Sequence, residues 1–153
     1  MRIFIDADGC PVVRLTVNIA QKHHIPVTIV CDTSHEFSGY DAEVVTVDKG
    51  ADSADFKLVN MMSAGDIAVT QDYGLAAMCL SKRAHALNQN GIVYTNDNID
   101  SMLMTRHLNK KLMRSGKHLK GPKKRTDAQN NSFAEVLEEL IAKYLQKGEK
   151  ERL

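Results

Sequence analysis

At 153 residues, with 43% apolar and 25% charged side chains, the chain has ordinary globular composition and length for one hydrophobic core, so residues 1–153 read as a single domain. No run of about eighteen apolar residues is present to span a membrane, and a carboxylate interrupts the apolar stretch from Met1 to Asp6 too early for a signal peptide; the expectation is a cytoplasmic protein with no membrane partner. The net charge of +1 hides a division, because residues 1–100 carry 7 Lys/Arg against 13 Asp/Glu while residues 101–153 carry 13 against 6.

In chain order, Arg2–Ile5 reads as a short buried strand running into Asp6-Ala7-Asp8-Gly9-Cys10-Pro11. Pro11 suits the first turn of a helix and Asp8 is placed to cap it, with Val12, Val13, Val17, Ile19 and Ala20 as its apolar stripe. Ile25 to Cys31 is a second strand and Asp32 to Asp41 a loop. Ala42–Val47 makes a third strand, and Ala51 to Asp55 opens a helix with Phe56, Val59 and Met62 at helical spacing. Ile67–Thr70 is a fourth strand, followed by a helix over Tyr73–Lys82. A fifth strand comes from Ala84–Leu87 or Ile92–Tyr94, split by Asn88-Gln89-Asn90-Gly91. A helix from about Asn98 to Arg114 and a Gly116–Gly121 linker precede the last helix, at 126–147. There Thr126 and Gln129 form a capping box, and Phe133, Val136, Leu137, Leu140, Ile141, Tyr144 and Leu145 share one face. That face packs on the core or on a partner chain, the second case making a homodimer. The order of strands and helices implies an α/β fold with a mainly parallel sheet covered on both sides.

Ligands of open parallel sheets bind outside the carboxyl ends of the strands that flank the topological switch point. Asp6 and Asp8 stand at the end of strand one and Asp72 at the end of strand four; if those strands are neighbours, the carboxylates converge. Asp52 and Asp55, at i and i+3 on one helix start, are placed to approach from the side. Such a cluster is costly without a cation, and all-oxygen ligands favour Mg²⁺ or Mn²⁺ over zinc. Plain structural roles compete: Asp8 as an N-cap, Asp66 as a strand-entry cap, Asp52 and Asp55 as partners of a helix dipole. Asp6 and Asp72 are the hardest to explain that way. Thr70 is placed to steady a carboxylate, and Ser53 and Asn88 are further polar candidates. Cys10, Cys31 and Cys79 form no C-x-x-C pair and suggest neither disulfides nor a zinc knuckle; Cys31 and Cys79 read as core residues, while Cys10 sits beside the acids. His85 and His107 read as structural or solvent-facing.

From Arg106 to Arg125 run nine basic residues and no acid: Arg106, Lys110, Lys111, Arg114, Lys117, Lys120, Lys123, Lys124 and Arg125. This arm, 106–125, reads either as a solvated connector or, because of its sign purity, as a phosphate-backbone footprint for nucleic acid.

The strand-DADxCPV opening, Lys49 to Asp55, Gly65 to Asp72 with Leu75-Ala76, Ala84-His85-Ala86-Leu87-Asn88, Tyr94-Thr95 and Gly121-Pro122-Lys123 together resemble the bacterial YaiI/YqxD family over nearly the whole chain. Where that family more often has Ala, this chain has Gly9. The family is uncharacterised in function but looks like a member of the PIN-like superfamily, whose relatives include metal-dependent ribonucleases. The resemblance implies a PIN-like three-layer α/β/α domain, Asp6 and Asp72 as the strand-end catalytic carboxylates, Asp52 or Asp55 in the helix position, and RNA as partner. Two other readings compete. Asp6-x-Asp8-Gly9 also looks like the nucleophile motif of haloacid-dehalogenase-type phosphatases, with Gly65-Asp66 and Asp72 imitating their metal motif and Lys49 as cation, although the cap and the usual spacing are missing. A non-catalytic nucleic-acid-binding module with a vestigial acidic site is the third.

Overall fold

The computed structural model describes residues 1–32, 36–49, 53–116 and 124–152. Ile3, Phe4 and Ile5 alternate across β1 (Ile3–Asp6), so that Ile3 and Ile5 enter one apolar cluster and Phe4 the other. A strand buried on both faces must lie inside a sheet with helices on each side. The remaining strands are β2 (Val27–Asp32), β3 (Glu43–Val47), β4 (Ile67–Val69) and β5 (His85–Leu87); all pairs are parallel, in the order β3-β2-β1-β4-β5. The direction of winding therefore reverses between β1 and β4.

On one face, α1 (Val13–Lys22) and α5 (Asp127–Arg152) contribute Val13, Val17, Phe133, Leu137 and Ile141 to the cluster around Ile3 and Ile5. On the other, α2 (Ser53–Met61), α3 (Tyr73–Ser81) and α4 (Asn96–Arg114) bring Leu58, Leu75, Ala76, Cys79 and Ile99 against Phe4, Val30, Ala68 and Ala86. The layers are α/β/α, as the order of elements predicts. The capping box of α5 is present, the Gln129 side chain accepting from Thr126 N at 2.9 Å and Thr126 Oγ1 from Gln129 N at 3.3 Å. Its apolar face is covered within the chain, by α1 and the sheet.

Two local expectations change, and one alternative left open by the sequence is decided. The first helix begins at Val13 with Val12 at its N-cap and no side-chain cap, so Asp8 does not cap it. The fifth strand is His85–Leu87, and Val93 folds back to it as an antiparallel bridge to Leu87. The fourth helix begins at Asn96, because Thr95 and Asn98 form a reciprocal capping box. Among the described residues, no helix is long and apolar enough to cross a membrane.

Candidate functional site

Because β1 pairs with β4, the chain segments leaving these strands meet at the switch point. Asp6, Asp8, Gly9, Gln71, Asp72 and Tyr73 line one open cleft there. Thr70 organises it. Its buried hydroxyl donates to Asp6 Oδ2 at 2.8 Å and accepts from Asp72 N at 3.0 Å, so one oxygen fixes both strand-end residues relative to each other. The Thr70 backbone is held in turn, its N–H by Leu87 O at 3.1 Å and its carbonyl by the Tyr94 hydroxyl at 3.1 Å.

The carboxylates differ in what they already do. Asp6 Oδ1 accepts no hydrogen bond from the described residues and remains available to the cleft. Asp72 Oδ1 accepts from Gly74 N and Leu75 N at 2.8 and 3.2 Å, making Asp72 the N-cap of α3, a role its position after a strand conceals. Asp8 reaches across to β2, where Asp32 N donates to its Oδ2 at 3.1 Å. Gln71 Nε2 donates to Gly9 O at 2.9 Å and ties the two loops together. Asp55 lies in the first turn of α2 and is not a lining residue; it shares with Asp6 an electrostatic effect on the buried Cys79 thiol. Asp52 and the Ser53 side chain lie outside the described residues.

Burial pushes the Asp6 carboxyl above its ordinary value of 3.8; the Thr70 hydrogen bond opposes this, and the charges of Asp72 and Asp8 reinforce it. These are the electrostatics of like charges held together in a partly dry cleft. The oxygen-only donor set fits a hard divalent cation, although no group of three or more His, Cys, Asp or Glu side chains among the described residues closes into a finished metal site. Mg²⁺ commonly keeps several waters and takes one or two carboxylates, which this arrangement can provide. Burial holds the Cys10 thiol up at about 11, with Asp6 adding to that and Arg125 opposing it; Cys10 packs against the apolar core as a protonated thiol rather than a thiolate. Cys31 and Cys79 are buried and free.

Of the basic arm, Lys110 and Arg114 line a groove with Tyr73, Thr105, Asn109 and Met113. Tyr73 belongs to both hollows, so the acidic cleft and the basic groove share a rim. Lys111 is exposed on the same helix but not in the groove, and Arg106 is placed by its backbone in α4. Lys124 is exposed. The Arg125 guanidinium donates to Asn130 Oδ1, Asn90 Oδ1 and Gln89 O, so these donors serve the fold, and its charge acts on the Cys10 thiol. Lys117, Lys120 and Lys123 lie outside the described residues.

Several other candidates are spent elsewhere. Asp66 accepts from Arg2 N and Ser63 N at 3.0 and 2.8 Å, at the opposite end of β4 from Asp72. It therefore cannot complete a phosphatase metal motif, and Lys49 is not a lining residue either. Asn88 Oδ1 holds a turn by accepting from Asn90 N and Ile92 N. His85 stacks on Tyr144 with 3.8 Å between centroids, and burial lowers its pKa, helped by Lys143 and Lys147. His107 is exposed. Gln71 and Tyr73 line the cleft although sequence reasoning gives neither a role; Gln71 lies within the Gly65 to Asp72 segment that carries the resemblance, and the one signal for Tyr73 is adjacency to Asp72.

A profile of the family described as "Uncharacterized BCR, YaiI/YqxD family" matches residues 4–143. A UPF0178 protein of Exiguobacterium sibiricum is 48% identical over 141 residues, which is 92% of this chain and 96% of that one. A second from Clostridium acetobutylicum is 48% identical over 143 residues, covering 92% and 97%, and a third from Natranaerobius thermophilus 44% over 142 residues, covering 92% and 96%. No solved structure matches the chain.

Proposed function

The chain belongs to the uncharacterised bacterial YaiI/YqxD family, and from that premise we propose that it is a PIN-like, metal-dependent nuclease that hydrolyses phosphodiesters in RNA. The observation that carries this reading is the shared rim. Tyr73 borders both the carboxylates and the groove of Lys110 and Arg114, so a strand whose phosphates follow the basic helix is led into the acidic cleft. Lysine and arginine along a groove neutralise backbone phosphates without regard to sequence, and an aromatic ring at the rim offers a face on which a base can stack. The choice of RNA rests on the resemblance to PIN-like ribonucleases.

Asp6, Asp8 and Asp72 are the residues that would hold Mg²⁺ or Mn²⁺, with Asp52 and Asp55 adding charge from the start of α2. When bound, such an ion lowers the pKa of water and steadies the departing oxygen. The chain's own contribution is positioning. Thr70 holds Asp6 through Oδ2, fixes the Asp72 backbone through the same hydroxyl, and so holds the two strand-end residues in place relative to each other. The amides of Gly74 and Leu75 stop the Asp72 side chain from swinging away.

Cleavage of mixed-sequence single-stranded RNA, with Mn²⁺ and then with excess chelator, tests the proposal. Wild type cuts only with the metal, and Asp6→Asn cuts at least about a hundredfold more slowly while still binding RNA. Metal-independent cutting, or cutting that survives in Asp6→Asn, overturns the reading. Binding without cutting under any divalent ion favours the vestigial site instead.

A further inference from the structure

Four of the eight large apolar side chains that stand exposed among the described residues are on one helix: Met104, Leu108, Leu112 and Met113 of α4. Met104, Leu108 and Leu112 recur at i, i+4 and i+8 and so form one stripe. The residues by which α4 joins the core, Ile99, Met102 and Leu103, lie roughly half a turn away around the helix. The stripe therefore points away from the body of the protein, and every described side chain from Met104 to Arg114 is exposed. Apolar surface collected in this way marks an interaction site.

We infer that the outer face of α4 pairs with the same face of a second copy of this chain, the two helices running antiparallel. The charges beside the stripe select that occupant. Exposed Asp97 and Asp100 border its N-terminal end, whereas exposed Lys111 borders its C-terminal end. Phosphate or an anionic bilayer suits Lys111 and is repelled by the two acids. A second copy laid antiparallel suits both, because its Lys111 comes to the end that carries Asp100, and the reverse holds by symmetry. Leu108 falls near the two-fold axis, where it meets its own counterpart, and Met104 of each copy faces Leu112 of the other. Such self-complementarity is what a two-fold interface requires. The groove of Lys110 and Arg114 beside Tyr73 lies on another side of the helix, and the pairing does not depend on the nuclease reading.

Sedimentation equilibrium of the full chain reads the outcome. Wild type reports a reversible monomer–dimer equilibrium. Leu108→Glu raises the dissociation constant at least about tenfold and, at concentrations where both proteins are monomeric, leaves helix content and Tm unchanged, since Leu108 is 52% exposed. Asp100→Lys and Lys111→Asp each weaken the dimer, and the two combined restore it to within about threefold of wild type. The inference is overturned by a wild type that stays monomeric to its solubility limit, by a dimer indifferent to Leu108→Glu, or by a double variant no better than the singles. It is equally overturned if the chain remains monomeric and floats with phosphatidylglycerol vesicles in a Leu108-dependent way.

Discussion

Asp6 is a carboxylate that the fold holds where its charge is disfavoured. Its carboxyl is raised above 3.8 chiefly by burial, so the folded chain holds a proton there that the unfolded chain has already released. The sign follows from linkage: between the unfolded and the folded pKa the native state binds more protons, and stability falls as pH rises through that window. Below about 3.8 Asp6 is neutral in both states and nothing is lost; at neutral pH its charge is a net cost. Asp6→Asn keeps the shape and the acceptor for Thr70 while removing the charge. In chelator at pH 7 it is expected to raise Tm by about 2–4 °C, the shift that about 1 kcal/mol gives a chain of this size, and the gain should shrink as the buffer approaches pH 3.8. A melt in which Asp6→Asn unfolds at or below the wild-type temperature at pH 7, or gains equally at every pH, removes burial as the cause.

At the scale of elements, what is legible in the sequence depends on whether the partner is near along the chain. The capping box and apolar face of α5 depend on residues three and four apart, and both are present as expected. The buried strands β1, β2 and β4 are legible for the same reason, as apolar runs ended by polar residues. Asp8 imitates a cap because its partner, Asp32 N, is on β2, which no local spacing reveals. Asp72 invites a reading as a ligand alone, although Asp72 followed by Gly74 and Leu75 is a cap pattern. The fifth strand is ambiguous in sequence because three residues pair with β4 while Val93 bridges back to Leu87. The turn between them is clamped to α5: Arg125 holds Gln89 O and Asn90 Oδ1, and Gly91, at φ 84°, sits where a Cβ would come within 2.8 Å of Ser132 O. Gly65 has a similar φ of 87°, but a Cβ there would meet nothing within 4 Å. Both alanine variants suffer backbone strain of about 1 kcal/mol, but only Gly91→Ala must also push α5 away. It should lose at least about 2 kcal/mol more than Gly65→Ala in urea denaturation; equal losses would mean that the turn and α5 are not in contact.

For the whole molecule, the separation of charge along the chain becomes a separation in space with a common border. Acidic side chains gather at the carboxyl ends of β1 and β4, the cations of α4 stand beside them, and Tyr73 joins the two. A polyanion approaching this surface is drawn by one region and repelled by the other. For an ordinary basic protein, a divalent cation competes for the phosphates and weakens RNA binding. Under the proposed nuclease reading, the same ion held by the carboxylates would instead cancel the repulsion at the point where the strand would enter. RNA affinity measured by fluorescence anisotropy at constant ionic strength should therefore rise when Mg²⁺ replaces monovalent salt, by about three- to tenfold if one unit of repulsion near 1 kcal/mol is removed. In Asp6→Asn the repulsion is already reduced, so the metal-free affinity should equal or exceed that of wild type and Mg²⁺ should only lower it. Ala at both Lys110 and Arg114 should weaken binding with and without metal and flatten the salt dependence by about two units in slope. The crossing of the two Mg²⁺ responses is the decisive outcome, because a solvated acidic surface that takes no part in binding gives parallel declines in wild type and variant.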